Sequence, residues 1–270
     1  MTEKSDDFLS LSAKIQAAVD EEVSRVAPTE WDENHLSFLV VRSIRRTLAE
    51  VTSVTHNNGV IHLCAEAYKL TGTPERTHGD IAIAIQHVFG SGHEIRGLGF
   101  YEAKASDDWY RYPAFKFRQL QRLAAATPRL SYLFYDRHAE PACDNPFAIN
   151  IDHNSTRPYR SRWPSVHARA VGANIIRGVR DPVTAARIYA EPFGYHLVAR
   201  YFTGRDLDFS RPPADTLKRW LDATKRSPPI VIALAISELG SPTVQLQLPG
   251  FEVHQLPVDR LRPLLKNRAH

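Results

Sequence analysis

Two strand-like runs separated by Gly90-Ser91-Gly92 constrain this chain more than any other feature, because together they fix which side chains share a sheet face. On both sides of that turn-prone triplet, β-branched and aromatic residues alternate with small or polar ones, the pattern of a hairpin. With a three-residue loop, Phe89 faces His93, and counting back along both strands sets Asp80 directly opposite Glu102. Directly opposed side chains have Cβ atoms about 4.5–5.5 Å apart. Period-2 alternation adds Lys104 to the same face and turns Ala103 to the other. A loop one residue longer or shorter, without a compensating bulge, turns Asp80 away.

Two facing carboxylates repel and push one pKa up, a cost that a divalent cation removes. Oxygen-only ligands suit Mg²⁺ or Mn²⁺ better than zinc, and Mg²⁺ keeps waters that can attack. The chemistry this points to is phosphodiester hydrolysis. Asp80 and Glu102 hold the metal, and Lys104 lowers the pKa of the attacking water or offsets charge on the phosphorane oxygens. Glu-x-Lys on a strand is common and by itself reads as solvated charge; the opposed aspartate is what separates this hairpin from an ordinary one.

The arrangement resembles the PD-(D/E)XK nuclease superfamily over roughly residues 30–136. The resemblance implies an α/β fold with a restriction-endonuclease-like αβββαβ core: a helix, a strand meander, then a further helix and strand, with a mixed central sheet flanked by helices. Asp80 matches the first aspartate of the motif, with Gly79 where the motif has proline, and Glu102 and Lys104 match its second half. It further implies Mg²⁺-dependent cleavage of nucleic acid, with DNA favoured over RNA, and the carbonyl of Ala103 as a metal ligand. In such a core the first helix presents a glutamate toward the metal, a place open to Glu33 or Glu30, whose other reading is stabilisation of the helix dipole.

The flanking segments supply the expected elements. Trp31 to Val51 carries Leu36, Leu39, Val40, Ile44, Leu48 and Val51 at helical spacing, with Thr29 or Asp32 as cap. Val60 to Tyr68 alternates as a strand whose Glu66 is either an acid backing the ligands or a solvated edge charge. Tyr112 to Ala126 reads as a helix ended by Pro128, and the family resemblance makes its Gln119 a candidate to hydrogen-bond a phosphate or the attacking water. Leu130 to Tyr135 follows as a short strand.

At 270 residues the chain exceeds one minimal nuclease core without reaching two comfortable domains. The organisation expected is an N-terminal extension (1–29), the core (30–136) and a C-terminal elaboration (137–270). Within the last, Arg157, Arg160, Arg162, Arg169, Arg177 and Arg180 appear with few acids between them and with Tyr159 and Trp163 interleaved, a composition that can pair guanidinium groups with phosphates and stack bases. A net charge of +4 and a pI near 9.1 agree with an anionic polymer as partner. Further on, Ala214 to Lys225 reads as a helix, Ile230 to Ile236 as a buried strand, Phe193 to Phe202 as another strand and Val258 to Leu265 as a terminal helix turn.

Two cysteines make no disulfide framework, no apolar run approaches the length of a membrane span, and Met1 to Asp7 lacks a leader's basic and apolar regions, so a cytoplasmic protein with no membrane partner is expected. The scattered histidines lack zinc spacing, and no Walker loop, G-x-S-x-G elbow or G-x-G-x-x-G is present. Two function classes follow: an active metal-dependent nuclease, with restriction or antiviral defence and homodimers as the settings the superfamily suggests, or a catalytically silent nuclease-like module that binds nucleic acid or a protein within a larger complex.

Overall fold

A computed structural model describes residues 7–56, 59–70, 81–107, 111–126, 129–141, 165–224, 230–244 and 253–255. Phe8–Ser24 (α1) begins where the Asp7 carboxylate accepts the Ser10 amide at 2.6 Å, and Leu11, Ile15, Val19 and Val23 form its wholly buried stripe. Glu33–Glu50 (α2) starts likewise, with Asp32 accepting from the amides of Asn34 and His35 at 3.0 Å each. Arg42 and Arg46 of α2 both reach Glu22 of α1, clasping the pair.

The strands are Ser53–His56 (β1), Gly59–Leu70 (β2), Ile81–Val88 (β3), Glu94–Ala105 (β4), Leu130–Pro141 (β5), Ser165–Gly172 (β6), Glu191–Pro192 (β7), Ile230–Ser237 (β8) and Val253–Gln255 (β9). They form one mixed sheet in the order β1-β2-β8-β3-β4-β5-β6-β7, with β9 against β2. The β3–β8 and β4–β5 pairs are parallel and the others antiparallel.

Helices cover both faces: Phe117–Ala126 (α3), Ala173–Val179 (α4), the short turn Pro182–Thr184 (α5), Phe193–His196 (α6) and Pro213–Thr224 (α7) complete the set. On one face α1, α2 and α6 bury Ile81, Ile83, Ile85, Tyr101 and Ala103. On the other, Leu120 of α3, Ile176 of α4 and Leu217 of α7 bury Ala82, Ala84, Phe100, Tyr132 and Phe134. The molecule is therefore an α/β protein of three layers.

Three sequence expectations change. The strand at 59–70 does not form a meander with the hairpin, because β8 lies between β2 and β3. All eight residues of β8 are buried and seven of them are apolar, and such a strand is stable only where both faces are covered, at the middle of the sheet. Phe193 to Phe202 is helical, α6 running on as a π-turn over Leu197–Phe202. Apart from Arg200 the run is buried all round, against α1 and β6, so its sequence had no polar face from which a helical period could be read. The helix expected from Tyr112 starts at Phe117, five residues later. The segments before residue 30 and after residue 136 share this core: α1, α6, β6 and β8 contribute to the same apolar cluster as β3 and β4. The turn expected at Val258 to Leu265 lies outside the described residues.

Close approach makes Gly194 irreplaceable. A Cβ there would sit 2.3 Å from the Ser12 carbonyl and 2.8 Å from the Gln16 amide, both backbone atoms of α1, and the Gly194 amide donates to Gln16 Oε1 at 2.8 Å. Gly194→Ala is expected to cost about 3 kcal/mol by forcing α1 away from α6, read as a lowered urea midpoint at unchanged slope. Gly97 and Gly99 admit the chain's own side chains rather than a ligand. Phe209 would meet a Cβ on Gly97 at 2.6 Å, and Tyr201 one on Gly99 at 2.9 Å.

At the end of α6, His196 is fully buried; its Nδ1 hydrogen-bonds the Tyr101 hydroxyl at 2.8 Å, and burial, aided by the Arg200 charge, holds its pKa well below 6.5. A depressed histidine stabilises the fold above its unfolded pKa of 6.5 and loses that contribution as pH falls toward its folded value. The His196 contribution is expected to be lost from pH 7 to pH 5, and urea melts of His196→Gln should lack this loss over that window. Asp20, raised to about 6 chiefly by burial, acts in the opposite sense between 3.8 and about 6 in both proteins, so it cancels from the comparison.

Candidate active site

The β3–β4 register is the one that the three-residue loop predicts. Phe89 donates to the His93 carbonyl at 2.9 Å, and the pairs run from Val88 with Glu94 to Ile81 with Tyr101. Asp80, one residue before the first described pair, lies outside the described residues, as do Arg157, Arg160 and Arg162.

At the far end of β4, Glu102 points to the α3 side of the sheet and is 3% exposed. Its carboxylate Oε1 accepts from Lys104 Nζ at 3.0 Å, and the same ammonium donates to the Ala103 carbonyl at 2.7 Å. The first turn of α2 closes this corner. Glu33 Oε1 stands 3.9 Å from Lys104 Nζ and accepts from the Ala105 amide at 3.4 Å. Burial raises the Glu33 pKa, and the Lys104 charge pulls it back down. Glu33 thus does both things its position allows: it opens a helix and faces the Glu102–Lys104 pair. Glu30 instead sits exposed in a single turn, Pro28–Glu30.

An open cleft of about 680 Å³ adjoins Glu33, walled by Trp31, Ala105, Asp107, Arg111 and Tyr112. Its walls are tied together across the fold. The Trp31 indole donates to the Ser106 carbonyl at 2.8 Å, and the Tyr112 hydroxyl donates to Asp136. Asp136 in turn pairs with Arg169 at 3.1 Å, both side chains 2% exposed, and Arg169 donates to the Ala186 carbonyl at 3.2 Å. None of these wall residues stood out in the sequence, since Trp31 precedes a helix cap and Tyr112 reads as an ordinary apolar position.

Two further expected residues are placed elsewhere. Arg169 was expected on a phosphate-contacting surface; it is buried and spent on Asp136, in register with Phe134 and Lys104 across the sheet. Glu66 was open between backing the ligands and standing as an edge charge. It pairs with Arg45 at 2.9 Å, and its lateral row runs through Ala233 and Ala84 to Leu98, missing Glu102 by four residues. Strand spacing alone puts it about 14 Å across the sheet and about 13 Å along it from Glu102. Arg177 and Arg180 are exposed. Gln119 belongs to α3, on the sheet face that carries Glu102; its side chain lies outside the described residues.

Two carboxylates and one carbonyl oxygen thus converge on a single positive group, and one of the carboxylates, Glu33, also lines the cleft. Oxygen donors of this kind are those a hard divalent cation takes, although among the described residues no group of three or more His, Cys, Asp or Glu side chains is placed to hold one. No family model, no curated protein and no solved structure matches the chain. Among the described residues, no helix is long and apolar enough to cross a membrane.

Proposed function

We propose that this chain is a metal-dependent nuclease that hydrolyses phosphodiester bonds, with DNA favoured as substrate. The observation that carries the reading is the convergence of Glu102 Oε1, the Ala103 carbonyl and Glu33 Oε1 on Lys104 Nζ, together with the resemblance of Asp80, Glu102 and Lys104 to the PD-(D/E)XK motif. Continuing the β3–β4 register by one pair is what the proposal requires of Asp80. Asp80, Glu102 and the Ala103 carbonyl would hold Mg²⁺ or Mn²⁺, which when bound would draw electron density from the scissile phosphate and from water.

The chain's own groups do the rest. Lys104 brings a fixed positive charge to the oxygens that become more negative as the nucleophile adds, and a preorganised charge in a partly desolvated corner is worth more there than in water. Glu33, whose pKa burial raises above its ordinary value, stands beside the same corner. The open cleft beside Glu33 gives a polymer access without a closed pocket.

The test is incubation of purified protein with plasmid, linear duplex, single-stranded DNA and RNA in Mg²⁺, Mn²⁺ or EDTA. Metal-dependent cleavage that disappears in Asp80→Ala and Glu102→Gln is expected. Binding without cleavage under every condition would overturn the enzyme in favour of a silent nuclease-like module.

A further inference from the structure

Outside the Glu102 corner, positive charge concentrates on α3 and α4, two of the helices that cover the same sheet face; the third, α7, carries two acids and two bases. Lys116 and Arg118 at the start of α3, and Arg177 and Arg180 at the end of α4, are all exposed. Asp181 is the one acidic residue in the α3 and α4–α5 segments from 116 to 126 and from 173 to 189. It is engaged in capping Thr184 at 2.7 Å.

Arg180 is the informative member. Among the described residues it alone, apart from glycines, has a positive φ, 63°, at the C-terminal cap of α4 where glycine is the unstrained choice. A cation there does suit the helix dipole, but Arg177 in the last turn already supplies one. An arginine at a strained position draws attention to what its guanidinium does. That guanidinium is held 6.0 Å over the Phe117 ring, which fixes the α4 charges beside those of α3.

The same ring leads back to the site. Phe117 lies 6.3 Å from Phe115, Phe115 lies 5.1 Å from Tyr132, and Tyr132 is the strand partner of Glu102. This chain of contacts keeps Arg180 within about one turn of a DNA duplex, roughly 34 Å, of the carboxylate.

We propose that Lys116, Arg118, Arg177 and Arg180 form a track that holds the sugar-phosphate backbone of a nucleic acid leading to the Glu102–Lys104 corner, an assignment that rests on the nuclease reading for its partner. Guanidinium forks match phosphate oxygens, and contacts of this kind release counterions, so the track has a defined signature in salt.

The experiment is fluorescence anisotropy of a labelled DNA duplex in EDTA over a series of NaCl concentrations, with single-stranded DNA and RNA as further arms. For the duplex, Lys116→Glu with Arg118→Glu, and separately Arg177→Glu with Arg180→Glu, should each weaken binding and flatten the log–log salt slope by about 0.9 per lost contact. Arg180→Gly should flatten the slope by about 0.9 while leaving the melting temperature unchanged or raised, which a merely structural arginine would not do. Wild-type slopes in all three variants would overturn the track while metal-dependent cleavage still upheld the nuclease. Absence of any wild-type binding, or equal competition by polyglutamate, would also overturn it. Binding with the expected slopes but no cleavage in any metal would keep the track and remove the nuclease.

Discussion

Lys104→Met is expected to slow phosphodiester cleavage by about 10²–10³-fold, the usual consequence of removing one preorganised group from a developing oxyanion. Its ammonium sits on Glu102 Oε1 and the Ala103 carbonyl, with Glu33 Oε1 just beyond, so its positive charge is delivered at the oxygens proposed to hold the cation. Glu102→Gln should lower cleavage at least as far, because it removes a ligand charge as well as the partner of Lys104. Thermal melts separate the two roles. A cation that binds only the folded protein raises its melting temperature, so Mn²⁺ should stabilise wild type and Lys104→Met but not Glu102→Gln. Equal stabilisation of all three proteins would place the cation elsewhere.

The largest effect on stability is expected at Arg169→Met. The Arg169–Asp136 pair is 2% exposed on both sides, and Asp136 also accepts the Tyr112 hydroxyl. Removing one partner leaves a buried charge uncompensated, at a cost of about 3–5 kcal/mol. For a chain of this size that corresponds to a fall in melting temperature on the order of 10 °C or more. Because Asp136 anchors Tyr112, and Tyr112 walls the cleft, a partly rescued protein should also show a raised KM. Replacing both Arg169 and Asp136 with apolar residues of similar volume should recover most of the lost stability, since neither charge is then left alone. A single Arg169→Met change that leaves the melting temperature in place would mean that the pair contributes nothing to the fold.

What the sequence disclosed and what it hid have separate physical origins. Local rules reached far. The length of the Gly90-Ser91-Gly92 loop and the alternation on either side set the β3–β4 pairing now seen from Val88 with Glu94 to Ile81 with Tyr101. Asp32 marked the start of α2, and that cap is what aims Glu33 at Lys104. The apolar run Ile230 to Ile236 marked a buried strand, but nothing local says between which strands it inserts, and its place between β2 and β3 is decided by contacts some 150 to 175 residues apart in the chain.

Arg169 shows the same limit at one residue. It sits among other arginines in the sequence, and its partner Asp136 belongs to a different strand, so only the sheet reveals that its charge is internal. Glu66 likewise looked equivalent to other strand acids until β8 separated it from β4. Arg180 carries a signal of another kind, a backbone angle that no composition announces.

The nuclease proposal requires that Glu102, with Asp80 beside it, hold a divalent cation at the Lys104 corner. An anomalous difference map from crystals of the full chain soaked in Mn²⁺ tests this most directly. A peak is expected within ligand distance of the Glu102 carboxylate and the Ala103 carbonyl, with the Asp80 carboxylate completing the set. A Mn²⁺ peak bound away from these oxygens, or an Asp80 side chain directed to the opposite face of the sheet, would contradict it.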